Sequence, residues 1–111
     1  YPVITLEKEW THLETRENLI GKNASEQDAL KFSIYANVDE NYPATFIWCG
    51  DADSVVPPKN TKLMVAALEE KQIPHESYIF PGVDHGVGPG TNTAAEGWIN
   101  RAVAFWRKES K

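Results

Sequence analysis

Two short loops carry the residue types that proton-transfer chemistry needs. Cys49-Gly50-Asp51-Ala52-Asp53-Ser54-Val55-Val56-Pro57 sets two carboxylates after an apolar run, and Phe80-Pro81-Gly82-Val83-Asp84-His85-Gly86-Val87-Gly88 sets an imidazole between glycines. A carboxylate that fixes the tautomer of an imidazole and stabilises its imidazolium makes a general base. Such a base takes a proton from a hydroxyl nucleophile and returns it to the leaving group. Asp53 fits the orienting role better than Asp51, because Val55-Val56-Pro57 lies at the right distance beyond it to tuck back onto a sheet. Gly82 and Gly86 let the backbone swing outward and present His85. Asp84 reads as a loop-stabilising or exposed group, since adjacent side chains diverge.

A hydroxyl nucleophile for this pair is not evident. The strained G-x-S-x-G elbow that presents a catalytic serine is missing, and none of Ser25, Ser33, Ser54, Ser77 and Ser110 has flanking glycines. Cys49 ends the strand that leads to Asp53, so it cannot also occupy an elbow on another strand, and it reads as a buried, inert thiol. His75 reads as a surface residue and His12 as a local packing or hydrogen-bonding group. The spacing of the three histidines is not that of a zinc site. Trp48, Trp98 and Trp106 fall on element faces and read as core. Trp10 reads as local packing, with contact to substrate as the alternative.

The elements that must position these loops follow from periodicity. Thr45-Phe46-Ile47-Trp48-Cys49, ending at Gly50, is a β-forming run, and Glu76 to Phe80 is another. Between them, Met64, Ala67, Leu68 and Lys71 share one face of a predicted helix over Pro58 to Lys71, closed by Ile73-Pro74. A last helix is predicted over Ala94 to Lys108, with Trp98, Ala102, Phe105 and Trp106 on one side. Arg101, Arg107 and Lys108 face water there. Tyr1-Pro2-Val3-Ile4-Thr5-Leu6 reads as a short buried strand. Residues 7–44 form an excursion between core strands, with Thr15 capping a helix that stops at Gly21 and a capping box at Ser25 and Asp28. The class is α/β, with about three parallel strands and right-handed crossover helices. Ligands of such sheets bind beyond the carboxyl ends of the strands, where both loops lie.

Composition narrows the function classes. The 111 residues carry a net charge of −5 with no cluster of Lys and Arg, which argues against nucleic acid. No apolar run approaches the ~20 residues of a membrane span. The single Cys excludes an internal disulfide and a Cys-rich zinc site. No metal or organic cofactor is implied. The opening at Tyr1, with neither an initiator Met nor a targeting signal, reads as an internal start, and the compartment stays open.

Taken together, Tyr1 to Leu6, Thr11-His12, Arg16-Glu17-Asn18-Leu19-Ile20-Gly21, Pro43 to Trp48, Asp53 to Pro57, Asn60 and Asp84-His85-Gly86 carry a resemblance. The sequence resembles the bacterial acetyl esterase and acetylxylan esterase-like group of the α/β-hydrolase superfamily, over nearly the whole chain. The resemblance corresponds to the C-terminal part of that catalytic domain, so residues 1–111 are expected to form one partial domain. It implies Asp53 as triad acid and His85 as triad base. The family's serine and oxyanion-hole residues have no matching positions here. A serine carboxylic-ester hydrolase acting on small acyl esters or acetylated carbohydrates is implied, inactive in this stretch alone. The alternative is a non-catalytic α/β module that self-associates, or binds the remainder of a longer chain or another partner, through an exposed sheet edge along Tyr1–Leu6.

Overall fold

A computed structural model describes all 111 residues. At its centre is a βαβ unit: β1 (Thr45–Gly50), α3 (Lys59–Glu70) and β2 (His75–Phe80). The two strands are parallel, with Thr45 opposite His75 and Gly50 opposite Phe80. Before them come α1 (Leu13–Ile20), α2 (Glu26–Phe32) and a 3-10 turn at Ile34–Asn37; after them comes α4 (Trp98–Glu109). No helix is long and apolar enough to cross a membrane.

Alternation along β1 divides the core in two, because successive strand residues point to opposite faces. Ile47 packs with Ile4, Val38, Met64, Leu68 and Ile73 on the α3 side. Trp48 packs with Phe80, Val83 and Ala95 on the other, where Trp98 and Tyr1 also close in. Both loops leave the same end of this sheet, from Gly50 and from Phe80.

Helix boundaries follow local chemistry. Ser25 Oγ accepts from the Asp28 amide at 3.1 Å, and Asp28 Oδ2 accepts from the Ser25 amide at 3.3 Å, which is the expected capping box of α2. Helix α1 starts earlier than expected, because His12 rather than Thr15 is its cap: His12 Nδ1 accepts from the Thr15 amide. Its stop at Gly21, φ 89°, is as expected. The last helix begins at Trp98, not Ala94. Gly97 has φ 89°, a left-handed conformation that a right-handed helix cannot include.

The α/β class holds, but the sheet has two strands rather than three. Ile4, Thr5 and Leu6 are buried, yet Tyr1–Leu6 is not a strand. Side chains replace a ladder there. The amides of Ile4 and Thr5 donate to Asn60 Oδ1 at 2.9 and 3.1 Å, and that of Leu6 donates to Ser33 Oγ at 2.8 Å. The buried Arg16 guanidinium donates to the Leu6 carbonyl, and the Ile34 amide to that of Ile4. An exposed edge along Tyr1–Leu6 is therefore not a feature of this molecule, and residues 7–44 do not run between two strands.

Two expectations about tryptophan differ from the structure. Trp48 is buried, but Trp106 is 65% exposed and Trp98 only half-buried. The Trp98 indole N–H donates to the Gly88 carbonyl at 2.8 Å, tying α4 to the histidine loop. Arg101 faces water, as its position predicts, but its guanidinium also lies 4.7 Å from the centre of the Tyr78 ring.

Candidate active site

The acid loop is built by Gly50. Its Cα lies against the Val83 backbone, and a Cβ there would stand 1.9 Å from the Val83 carbonyl oxygen. That same carbonyl accepts from the Ala52 amide at 3.1 Å, and Asp51 Oδ1 accepts from the Gly82 amide at 2.7 Å. Asp51 thus braces the turn of the neighbouring loop, while Asp53 turns inward. The Asp53 side chain is fully buried.

Three donors converge on the Asp53 carboxylate. The amides of Val55 and Val56 donate to Oδ1 at 2.9 and 2.8 Å, and His85 Nδ1 lies 2.9 Å from Oδ2. Of the expected anchor Val55-Val56-Pro57, Val56 is buried beneath the turn, Pro57 is half-buried and Val55 is exposed. A carboxylate is the acceptor in such a pair, so Nδ1 carries the hydrogen and Nε2 is left as the nitrogen that can exchange a proton. The His85 side chain is 28% exposed, between its buried partner and solvent. Chemically, a buried, doubly anchored carboxylate bonded to one nitrogen of a half-buried imidazole can support proton transfer at the other.

The other side chains fall where their surroundings send them. Asp84 is exposed and accepts from Ser54 and from the His85 amide. Those bonds hold its carboxyl below the usual aspartate range. Cys49 is buried, and burial pushes its thiol up. His75 is half-buried and its Nδ1 meets the Ile73 carbonyl at 2.8 Å, while His12 caps α1. Trp10 gives its carbonyl to Asn60 Nδ2, and its ring lies 5.7 Å from the Lys59 ammonium. No group of three or more metal-ligating side chains gathers anywhere.

Sequence reasoning missed Tyr1. Its ring centre is 4.4 Å from that of His85 and 5.1 Å from that of Trp48, so it covers the imidazole from one side. No periodicity or motif points to that contact, because it joins residues 84 positions apart. The role of Asn60, whose carboxamide ties the first segment to the start of α3, was visible only as part of the family pattern.

The comparisons with known proteins place the chain in the α/β-hydrolase class. The family model of the prolyl oligopeptidase family (Peptidase_S9) matches residues 1–111, and the chain belongs to that family. Over 98 residues it is 39% identical to endo-1,4-beta-xylanase B of Butyrivibrio fibrisolvens, covering 88% of this chain and 15% of that protein. The acetyl ester-xyloside bifunctional hydrolase of Caldicellulosiruptor lactoaceticus superposes with a TM-score of 0.81 at 31% identity, over 99% of this chain and 40% of that one. A carboxylesterase of Lactobacillus plantarum shares the fold, with a TM-score of 0.77 at 21% identity, over 99% of this chain and 42% of that one. The chain thus spans about two fifths of the length of these solved hydrolases.

Proposed function

We propose that residues 1–111 are the C-terminal part of the catalytic domain of a serine carboxylic-ester hydrolase, with Asp53 as triad acid and His85 as triad base. The carrying observation is the 2.9 Å contact between His85 Nδ1 and Asp53 Oδ2, with the other carboxylate oxygen taken by two amides. In the reaction, a serine outside this stretch attacks the acyl carbonyl as His85 Nε2 takes its proton. The imidazolium, stabilised by Asp53, then protonates the departing alcohol; water repeats the cycle on the acyl-enzyme. Ser54 does not serve as that nucleophile, since its hydroxyl bonds Asp84 and not His85. The likeness to an acetyl ester-xyloside hydrolase and a xylanase favours small acyl esters, acetylated carbohydrates among them.

Hydrolysis of an acetyl ester dye tests this reading. The 111-residue chain should show none, and a full-length hydrolase carrying it should lose about 10^4-fold in kcat on Asp53→Asn or His85→Ala. Turnover by the short chain that survives both Asp53→Ala and His85→Ala sinks the assignment.

A second reading, a module that associates through a sheet edge, draws on one observation: no strand lies beyond either member of the two-stranded sheet, and on the outer side of β1 the Trp48 carbonyl accepts only from the Tyr1 amine, at 2.7 Å. It expects oligomers of the 111-residue chain, and a stable monomer in sedimentation at high concentration counts against it.

A further inference from the structure

Each member of the Asp53–His85 pair has a neighbour that reaches the opposite loop. Ser54 follows Asp53, Asp84 precedes His85, and these two neighbours are bonded to each other. Asp84 Oδ1 accepts from the Ser54 amide at 2.9 Å, from Ser54 Oγ at 3.0 Å and from the His85 amide at 2.7 Å. The Ser54 hydroxyl also lies 3.3 Å from Oδ2. One oxygen therefore gathers donors from both loops within a peptide unit of each proposed catalytic side chain.

The remaining ties between the loops lie nearer the sheet. The Asp51 amide meets the Phe80 carbonyl at 3.0 Å, the Ala52 amide meets Val83, and Gly82 meets Asp51. These fix the loop bases and leave the tips beyond residues 52 and 83 to other restraints. At the tips, the Asp84 bridge and the Asp53–His85 contact are the bonds between the loops. A proton relay needs its atoms held within about 0.5 Å of the productive arrangement, and a single contact between two side chains does not ensure that.

We propose that Asp84 is a positioning residue: its carboxylate ties the Ser54 and His85 backbones together and so fixes His85 Nδ1 on Asp53 Oδ2. This rests on the reading of Asp53 and His85 given above. Asp84 does not take part in proton transfer. It restrains the two tips, so that the imidazole neither swings toward solvent nor slides along its partner. The two carboxylates near the imidazole thus differ in direction: Asp53 faces in to the ring, and Asp84, next to His85 in the chain, faces out to the neighbouring loop.

Proton NMR and amide exchange on the 111-residue chain test the proposal, with S54A, D84A, D84N and D53N as variants. In the parent chain the His85 Nδ1 proton is expected as a downfield, slowly exchanging signal. In D84A it should exchange at least about tenfold faster, while amides of the β1–β2 ladder keep their rates. D84N, which retains an acceptor of the same shape, should restore most of the protection. If D84A also loosens the ladder, an Nδ1 acceleration at least about tenfold beyond that of the ladder amides upholds the proposal, and one no greater than theirs overturns it; S54A, which leaves both amide bonds to Asp84 in place, should accelerate exchange less than D84A. Loss of amide protection at Ser54 and His85 with an unchanged Nδ1 signal overturns it too, leaving Asp84 a purely structural brace. An Nδ1 signal indifferent to D53N overturns the pairing of Asp53 with His85 instead, and with it the positioning role.

Discussion

The Cα of Gly50 and the carbonyl of Val83 pack backbone against backbone, with no room between them for a methyl group. That approach sets the spacing of the two strand-end loops, since Gly50 ends β1 and Val83 precedes Asp84 and His85 by one and two residues. Asp53 and His85 meet because their loops start this close together. A larger residue at 50 would push apart backbone, which yields less readily than a flexible side chain.

Gly50→Ala should therefore destabilise the chain by about 3 kcal/mol, the upper part of the usual overpacking range. Urea unfolding measures the loss, and the His85 Nδ1 proton should lose its protection in the folded fraction. A variant as stable as the parent would show that the histidine loop shifts freely around residue 50.

Asn60 replaces a strand partner for the first segment. Its Oδ1 accepts from the Ile4 and Thr5 amides, and its Nδ2 donates to the Trp10 and Pro57 carbonyls at 2.7 and 3.0 Å. Asn60→Ala strands two buried amides and should cost about 2 to 3 kcal/mol. Amide exchange at Ile4 and Thr5 should quicken in Asn60→Ala but much less in Asn60→Asp, which keeps the acceptor.

Tyr35 gives the chain an alkaline limit. Burial, helped by the Glu7 carboxylate that accepts its hydroxyl hydrogen at 2.7 Å, pushes the phenol up to about 12 from 10. The folded state thus favours the neutral phenol. That stabilisation is complete below pH 10 and is lost as pH rises from 10 through about 12. Thermal melts across this window should fall more steeply for the parent than for Tyr35→Phe. Equal slopes would remove Tyr35 from the account.

Cys49 supplies a clean reporter of unfolding. It is buried to 2% exposure, and burial raises its thiol above the ordinary range, so little thiolate is present or accessible. An aromatic disulfide reagent at pH 8 should label it only at the rate of opening, and about 100-fold faster in denaturant. Immediate labelling of the folded chain would contradict this packing.

The loops were legible because their signals are local. The run Thr45–Gly50 and the strand expected over Glu76–Phe80 follow from β-forming residue types and the helix between them from periodicity, and the glycines around His85 mark a loop that leaves the sheet. The capping box at Ser25 and Asp28 is equally local, as it involves residues three apart. Trp106 shows where periodicity stops short. It lies on the apolar side of α4, yet only Phe105 of that helix is buried, because a two-stranded sheet is too narrow to cover the rest of the stripe. The class of the first segment was misjudged for a related reason: a β-branched apolar run fits a buried extended chain whether its hydrogen bonds go to a strand or to side chains.

By itself the sequence determined the βαβ order, the two strand-end loops and the residue types they carry, because propensity, glycine placement and capping act over a few residues. The Val-Val-Pro run beyond Asp53 already favoured it over Asp51 as the partner of the imidazole; tertiary structure alone decided that Asp51 braces the turn at Gly82. It also decided that Asn60, Ser33 and Arg16 hold the first segment, and that Tyr1 lies on His85. Those contacts depend on the β1–β2 register and on how closely Gly50 admits Val83, and neither can be read from positions along a chain.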